Sequence, residues 1–179
     1  MHLQTISGHA FSPLAPTVAD IRLEDIAHAL AHLCRFGGHV RTFYSVAQHA
    51  VLVSHVVPPD LALWGLLHDA SEAYLVDLPT PVKATAALAG YRGVEALLQR
   101  TVYQAFGLVG EEPDALHVAD EQLLLLEAGA LLHPAAAARL LAAAPADLAL
   151  PPIAINPVDP ARAKAGFLRR FYTLRGGRP

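Results

Sequence analysis

The chain has 179 residues, 54% hydrophobic and 16% charged, which is enough apolar content for one buried core and excludes a disordered chain. Its 13 Lys and Arg against 16 Asp and Glu give a net charge of −3, which excludes a protein held to nucleic acid polymers mainly by a basic surface. The lone cysteine, Cys34, rules out an internal disulfide and a cysteine-rich zinc module, and points to a reducing, cytoplasmic setting. The opening MHLQTISGHA lacks a basic start followed by an apolar run, so no signal peptide is expected. The most apolar stretch, Leu123 to Leu132, is interrupted by Glu127 and is too short to cross a bilayer. One domain over residues 1–179 is expected.

Residues 1–20 read as an arm with Pro13 and Pro16. Leu23, Ile26, Ala27, Leu30 and Leu33 then fall at helical spacing, with Glu24 and Asp25 near the positive N-terminal end and Gly37-Gly38 as the stop. A second helix is expected from Ser45, as N-cap, to Val57, before Pro58-Pro59. A third runs from Asp60 through LALWGLLHDASEAYL to about Leu75. Val76 to Lys83 should not be regular helix, because Pro79 and Pro81 each remove a donor. A fourth covers about Tyr91 to Phe106, a fifth follows Pro113 to about Leu132, and a short one lies within the alanine-rich 135–150. Residues 151–157 form a linker, and Asp159-Pro160 opens a final helix through Leu174. No period-two pattern and no hairpin signal appear. The fold class is all-α, with six or seven helices.

The strongest chemical signal is His68-Asp69. Leu63, Trp64, Leu66 and Leu67 make their surroundings apolar, where ionisable neighbours are costly unless paired or bound to an ion. Glu72 follows at helical spacing, and Asp77 lies just beyond in the proline-stiffened loop. His49, among Val46, Ala47, Ala50, Val51 and Val53, is expected to face inward. Asp120 stands immediately before a leucine run, an odd place for a solvated acid. Two imidazoles and two carboxylates from three helices can aim at one interior point of a bundle. Such N/O ligation suits one divalent ion of the Mn, Co, Ni or Zn type.

With this spacing, the blocks CRFGGHVRTFYSVAQHAVLVS, LWGLLHDASEAYLVDLPTPVK and VADEQLLLLEA resemble the HD-domain metal-dependent phosphohydrolases, closest to the small bacterial and phage members that act on nucleotides. They cover about half the chain, between Cys34 and Glu127. The resemblance implies an HD-domain helical bundle with His49, His68, Asp69 and Asp120 as metal ligands. It implies Glu72 and Asp77 as the acid/base pair around the attacking water. Arg35 would contact sugar and phosphate, Phe36 would lie beside the base, and Lys83 would meet a phosphate. Phe36 stands where relatives often have tryptophan, and Gln48 where many have glutamate. No adjacent His-His pair of the two-metal kind is present, which favours one metal. The implied activity is removal of phosphate from deoxynucleotides by a 5′-nucleotidase. The alternatives are a dATP-like triphosphohydrolase releasing tripolyphosphate, and an inactive metal- or nucleotide-binding protein. The family's habit implies a homo-oligomer, with a small nucleotide as the only other partner and no membrane.

The remaining histidines read more plainly. His28 and His32 flank the apolar face of the first helix. His39 is close enough in sequence to Arg35 to touch substrate. His117, three residues before Asp120, is placed to support the ligands. His2, His9, His55 and His133 read as surface, and Cys34 as a small buried hydrophobe.

Overall fold

A computed structural model describes residues 2–177; Met1, Arg178 and Pro179, part of the expected domain, lie outside the described residues. The fold is an all-α bundle. Helix α1 spans Leu23–His32, α2 Val46–Val56, α3 Ala62–Leu67, α4 Glu72–Leu75, α5 Thr80–Lys83, α6 Ala89–Ala105, α7 Asp114–Leu131, α8 Pro134–Ala143 and α9 Pro160–Leu174. Helices α4 and α5 are single turns, which leaves seven longer ones among the described residues.

The capping chemistry follows the sequence at two ends. The Ser45 hydroxyl accepts from the Gln48 N–H at 3.2 Å to start α2, and Asp159 accepts from the Arg162 N–H at 2.9 Å to start α9. Helix α2 packs against α3 and α7, and α9 returns across α1, α2 and α3. Gly65 permits the α2–α3 approach: a Cβ there would stand 3.0 Å from the Cα of Ser54. From α9, Phe167 and Phe171 fill the core, and Arg170 reaches Ser54 through its Nε and Nη2 at 2.9 and 2.7 Å. No helix among the described residues is long and apolar enough to cross a membrane.

The structure corrects four expectations. The arm contains a two-stranded hairpin, β1 Leu3–Gln4 against β2 Ala10–Phe11. Tertiary contacts hold it: Asp25 on α1 accepts from the Ser7 N–H and hydroxyl, both at 2.9 Å, and Phe11 stacks on Tyr74 at 4.1 Å. The first helix ends at His32, and Arg35–Gly38 form a separate 3-10 turn in which Phe36 takes φ 55°. The third helix is broken at residues 68–71, between α3 and α4. The proline loop does contain one helical turn, α5, because Pro79 caps it and Pro81 lies in its first turn, where no N–H is needed.

Candidate metal centre

The break between α3 and α4 falls at His68-Asp69. Through it the backbone bonds three residues back, with Ala70 N–H to Leu67 C=O at 3.0 Å and Glu72 N–H to Asp69 C=O at 3.0 Å. Gln99 of α6 completes the break. Its amide accepts from the Ser71 N–H at 2.9 Å and donates to Leu67 C=O at 2.7 Å. Gln99 thereby engages two of the backbone groups that the break exposes.

Four donor atoms meet at this break. His49 Nε2 lies 3.3 Å from His68 Nε2, 3.0 Å from Asp120 Oδ1 and 3.8 Å from Asp69 Oδ2. His68 Nε2 lies 3.2 Å from Asp69 Oδ2 and 3.9 Å from Asp120 Oδ1. The other ring nitrogens are engaged. His49 Nδ1 meets Glu127 Oε1 at 2.8 Å, and His68 Nδ1 meets Gly65 C=O at 2.9 Å. Each contact calls for an Nδ1–H donor, so the neutral rings turn two Nε2 lone pairs toward each other. Asp69 Oδ2 is buried with no hydrogen-bond partner among the described residues. Facing lone pairs beside these carboxylates favour a positive charge, carried by a proton or by an ion.

The charge balance expresses the same preference. Burial opposes charge on His68, but Asp69 and Asp120 outweigh it and push its pKa up to about 10. For Asp69, burial works against the carboxylate and His68 overrides it, holding the group well below the usual range. A divalent ion held here would compete with protons for the same donor atoms. The residues present therefore fit one divalent ion.

Sequence reasoning missed Glu127. It is fully buried on α7, and besides His49 its Oε2 accepts from Arg35 Nε at 3.2 Å and Nη2 at 3.0 Å. Burial opposes its charge, but His49 and Arg35 win and hold it below the ordinary glutamate range. The available signal was spacing: Glu127 lies two turns after Asp120, on the same face of α7.

Two cavities flank the centre. A polar one of about 240 Å³ is lined by His68, Asp69, Glu72, Lys83, Arg92 and Glu95, among others. Glu72 is buried with Oε2 unpartnered, and burial, aided by Asp69 and Asp77, pushes its carboxyl well above the usual range. Lys83 Nζ pairs with Glu95 at 2.7 Å. The other cavity, about 1060 Å³, is lined by Arg35, Phe36, His39, Asp77 and apolar residues of α7, α8 and the turn between them, including Leu124, Leu132 and Leu140. Burial also raises the Asp77 carboxyl, against Arg35. Arg35 keeps Nη1 3.8 Å from Asp69 Oδ2 and lies 5.6 Å from the Phe36 ring centroid. All nine residues singled out in the sequence thus line the centre or one of its cavities.

The other assignments divide. His39 lines the large cavity, and His133 does so while also capping α8. His117 is exposed and turned 3.9 Å from Glu112, so it supports none of the ligands. His28 and His32 stack on each other at 4.3 Å, away from the centre. His9 is not free surface but meets Asp20 at 3.0 Å. Gln48 fixes the linker to α2, its amide donating to Asn156 C=O at 2.6 Å and accepting from the Val158 N–H at 3.0 Å. A glutamate could not donate there.

No protein-family model matches the sequence. The uncharacterized protein YfdR of Escherichia coli is 42% identical over 106 residues, covering 59% of this chain and 58% of that protein's length. The uncharacterized protein RCAP_rcc00048 of Rhodobacter capsulatus is 34% identical over 183 aligned positions, covering 94% of this chain and 93% of its own length.

Proposed function

The chain belongs to the family of the Rhodobacter capsulatus protein RCAP_rcc00048, and we propose that it is a metal-dependent hydrolase removing the phosphate from nucleoside 5′-monophosphates. The observation that carries this reading is the pair of Nε2 atoms 3.3 Å apart, with both Nδ1 atoms already engaged and Asp69 and Asp120 beside them. The resemblance to HD-domain phosphohydrolases supplies the reaction class. His49, His68, Asp69 and Asp120 would hold the ion. When bound, it would neutralise phosphoryl charge and lower the pKa of a water from about 15.7 toward about 7.

The chain's own groups do the rest. Glu72, in the polar cavity one turn from His68, accepts the proton of the attacking water when ionised. Arg35 presents Nη1, the guanidinium nitrogen that Glu127 does not engage, to a phosphoryl oxygen. Asp77, at the wall of the large cavity, stands where the leaving nucleoside departs and can protonate its oxygen. Phe36 offers that cavity a face on which a base stacks.

The monophosphate reading follows the resemblance rather than the charge pattern. Lys83 is paired with Glu95, Arg92 Nη1 donates to the Lys83 and Thr85 carbonyls, and Arg41 Nη2 donates to Ala130 C=O. Only Lys83 is thereby neutralised; Arg92 and Arg41 are bonded to neutral carbonyls and keep their charge. The test is phosphate release from a nucleotide panel with Mn or Co added, alongside Asp69→Ala. Phosphate from monophosphates is expected, and the variant should lose both metal and turnover. Tripolyphosphate from triphosphates would establish the triphosphohydrolase instead. Metal binding without release from any nucleotide would leave a binding protein. An Asp69→Ala protein that keeps stoichiometric metal and near-native turnover would refute the site.

A further inference from the structure

The chain leaves α4 through Val76, which adopts φ 63° and ψ 160°. That region is open to glycine and closed in practice to β-branched residues. The Val76 side chain is 51% exposed, so packing does not force the conformation. Backbone contacts do. The Val76 N–H closes α4 on Glu72 C=O at 2.9 Å. From α6 the Tyr91 hydroxyl reaches both Leu75 C=O at 3.1 Å and Val76 C=O at 3.2 Å, sharing its one proton between them. The next residue is Asp77, on the cavity wall with Arg35. Four residues before Val76 is Glu72, in the polar cavity. The strained peptide is thus the joint between two acids that open on different sides of the centre.

We infer that Val76 and Tyr91 form a positioning device, in which the tyrosine hydroxyl pins an unfavourable backbone turn and the turn sets where Asp77 stands relative to Glu72. The inference rests on the reading of Asp77 as the acid at the leaving group. Without the hydroxyl, valine relaxes toward negative φ and carries Asp77 with it. Glycine at the same position has no such drive, because the left-handed conformation costs it little.

That asymmetry gives the test, made on the full chain with Mn. Tyr91→Phe should lower kcat roughly ten- to hundredfold, the scale of a misplaced reacting group. KM and metal content should hold, and the amides of residues 77–83 should exchange faster. Val76→Gly in the Tyr91→Phe background should recover most of kcat and of the exchange protection. Val76→Ala in that background should recover little, since alanine keeps most of the left-handed penalty. Native kcat and exchange in Tyr91→Phe would overturn the inference, as would equal rescue by alanine and glycine. If the native chain hydrolyses no nucleotide, the reading of the site fails, and the exchange pattern of the same four proteins still decides whether the hydroxyl holds the turn.

Discussion

Glu127 has the heaviest duties of any single side chain at the centre, because one carboxylate fixes the ring of His49 and neutralises Arg35. Glu127→Gln keeps the shape but turns an amide N–H₂ toward one of two donors. Metal affinity should fall about 10- to 100-fold, the usual effect of losing a partner behind a ligating histidine. Stability should fall on the order of 3 kcal/mol, because Arg35 stays buried without its counter-charge. Metal titration and denaturant melts measure the two effects separately. Glu72→Ala should behave differently, keeping its metal while turnover drops at least about a hundredfold. Loss of metal from that variant would make Glu72 a ligand and remove it from acid/base work. The closeness of His49, His68 and Asp69 was legible in the sequence because each is a polar residue set among apolar neighbours, whereas Asp120 is followed by Glu121 and Gln122 and was marked only by its place ahead of the leucine run. Glu127 carries the same mark inside LLLLEA, but an acid within a greasy run reads first as an interruption of that run. Its register with Asp120 puts both acids on the face of α7 that meets His49, Glu127 buried and Asp120 nearer the surface.

At the scale of elements, helix α6 does what periodicity alone does not reveal. Tyr91, Arg92, Glu95 and Gln99 follow one another along a single face. Tyr91 and Arg92 hold the two ends of the 76–85 segment, Glu95 holds Lys83, and Gln99 bridges the break at His68-Asp69. The stretch from Asp60 to Leu75 reads as one helix because its apolar pattern is continuous; the break depends on an amide from a distant segment, which no local pattern records. The α2–α3 crossing sets the spacing of the two histidines through Gly65. Gly65→Ala places a methyl 3.0 Å from Ser54 Cα and 3.1 Å from its N, so backbone must move. The expected loss is about 1–3 kcal/mol, with weakened metal binding as His49 and His68 separate. Gly129→Ala, in α7 with nothing within 4 Å of the new carbon, is the control and should stabilise by up to about 1 kcal/mol. Equal melting temperatures for the two variants would show that the crossing tolerates a side chain.

Across the whole molecule, the donors are unevenly distributed along the chain. Three of them sit close in the chain: His49 on α2, and His68 and Asp69 just past the end of α3, the two helices being joined by a short connection and packed together. The fourth, Asp120, comes from α7, beyond α6 in the chain. Closing the first contact costs little loop entropy, and closing the second costs more. An ion could therefore be captured by a helical hairpin before the bundle is complete, and would then act as a folding nucleus as well as a cofactor. At a hundred times its dissociation constant an ion stabilises the folded state by about 2.7 kcal/mol, and the kinetics report when that energy is gained. Capture by the hairpin places much of it in the refolding limb, so Mn should speed refolding of the native chain and of Asp120→Ala alike. Slower unfolding with unchanged refolding would mean that the ion enters only a finished site. In the first case the centre would have a second use, as the point from which the rest of the chain finds its place.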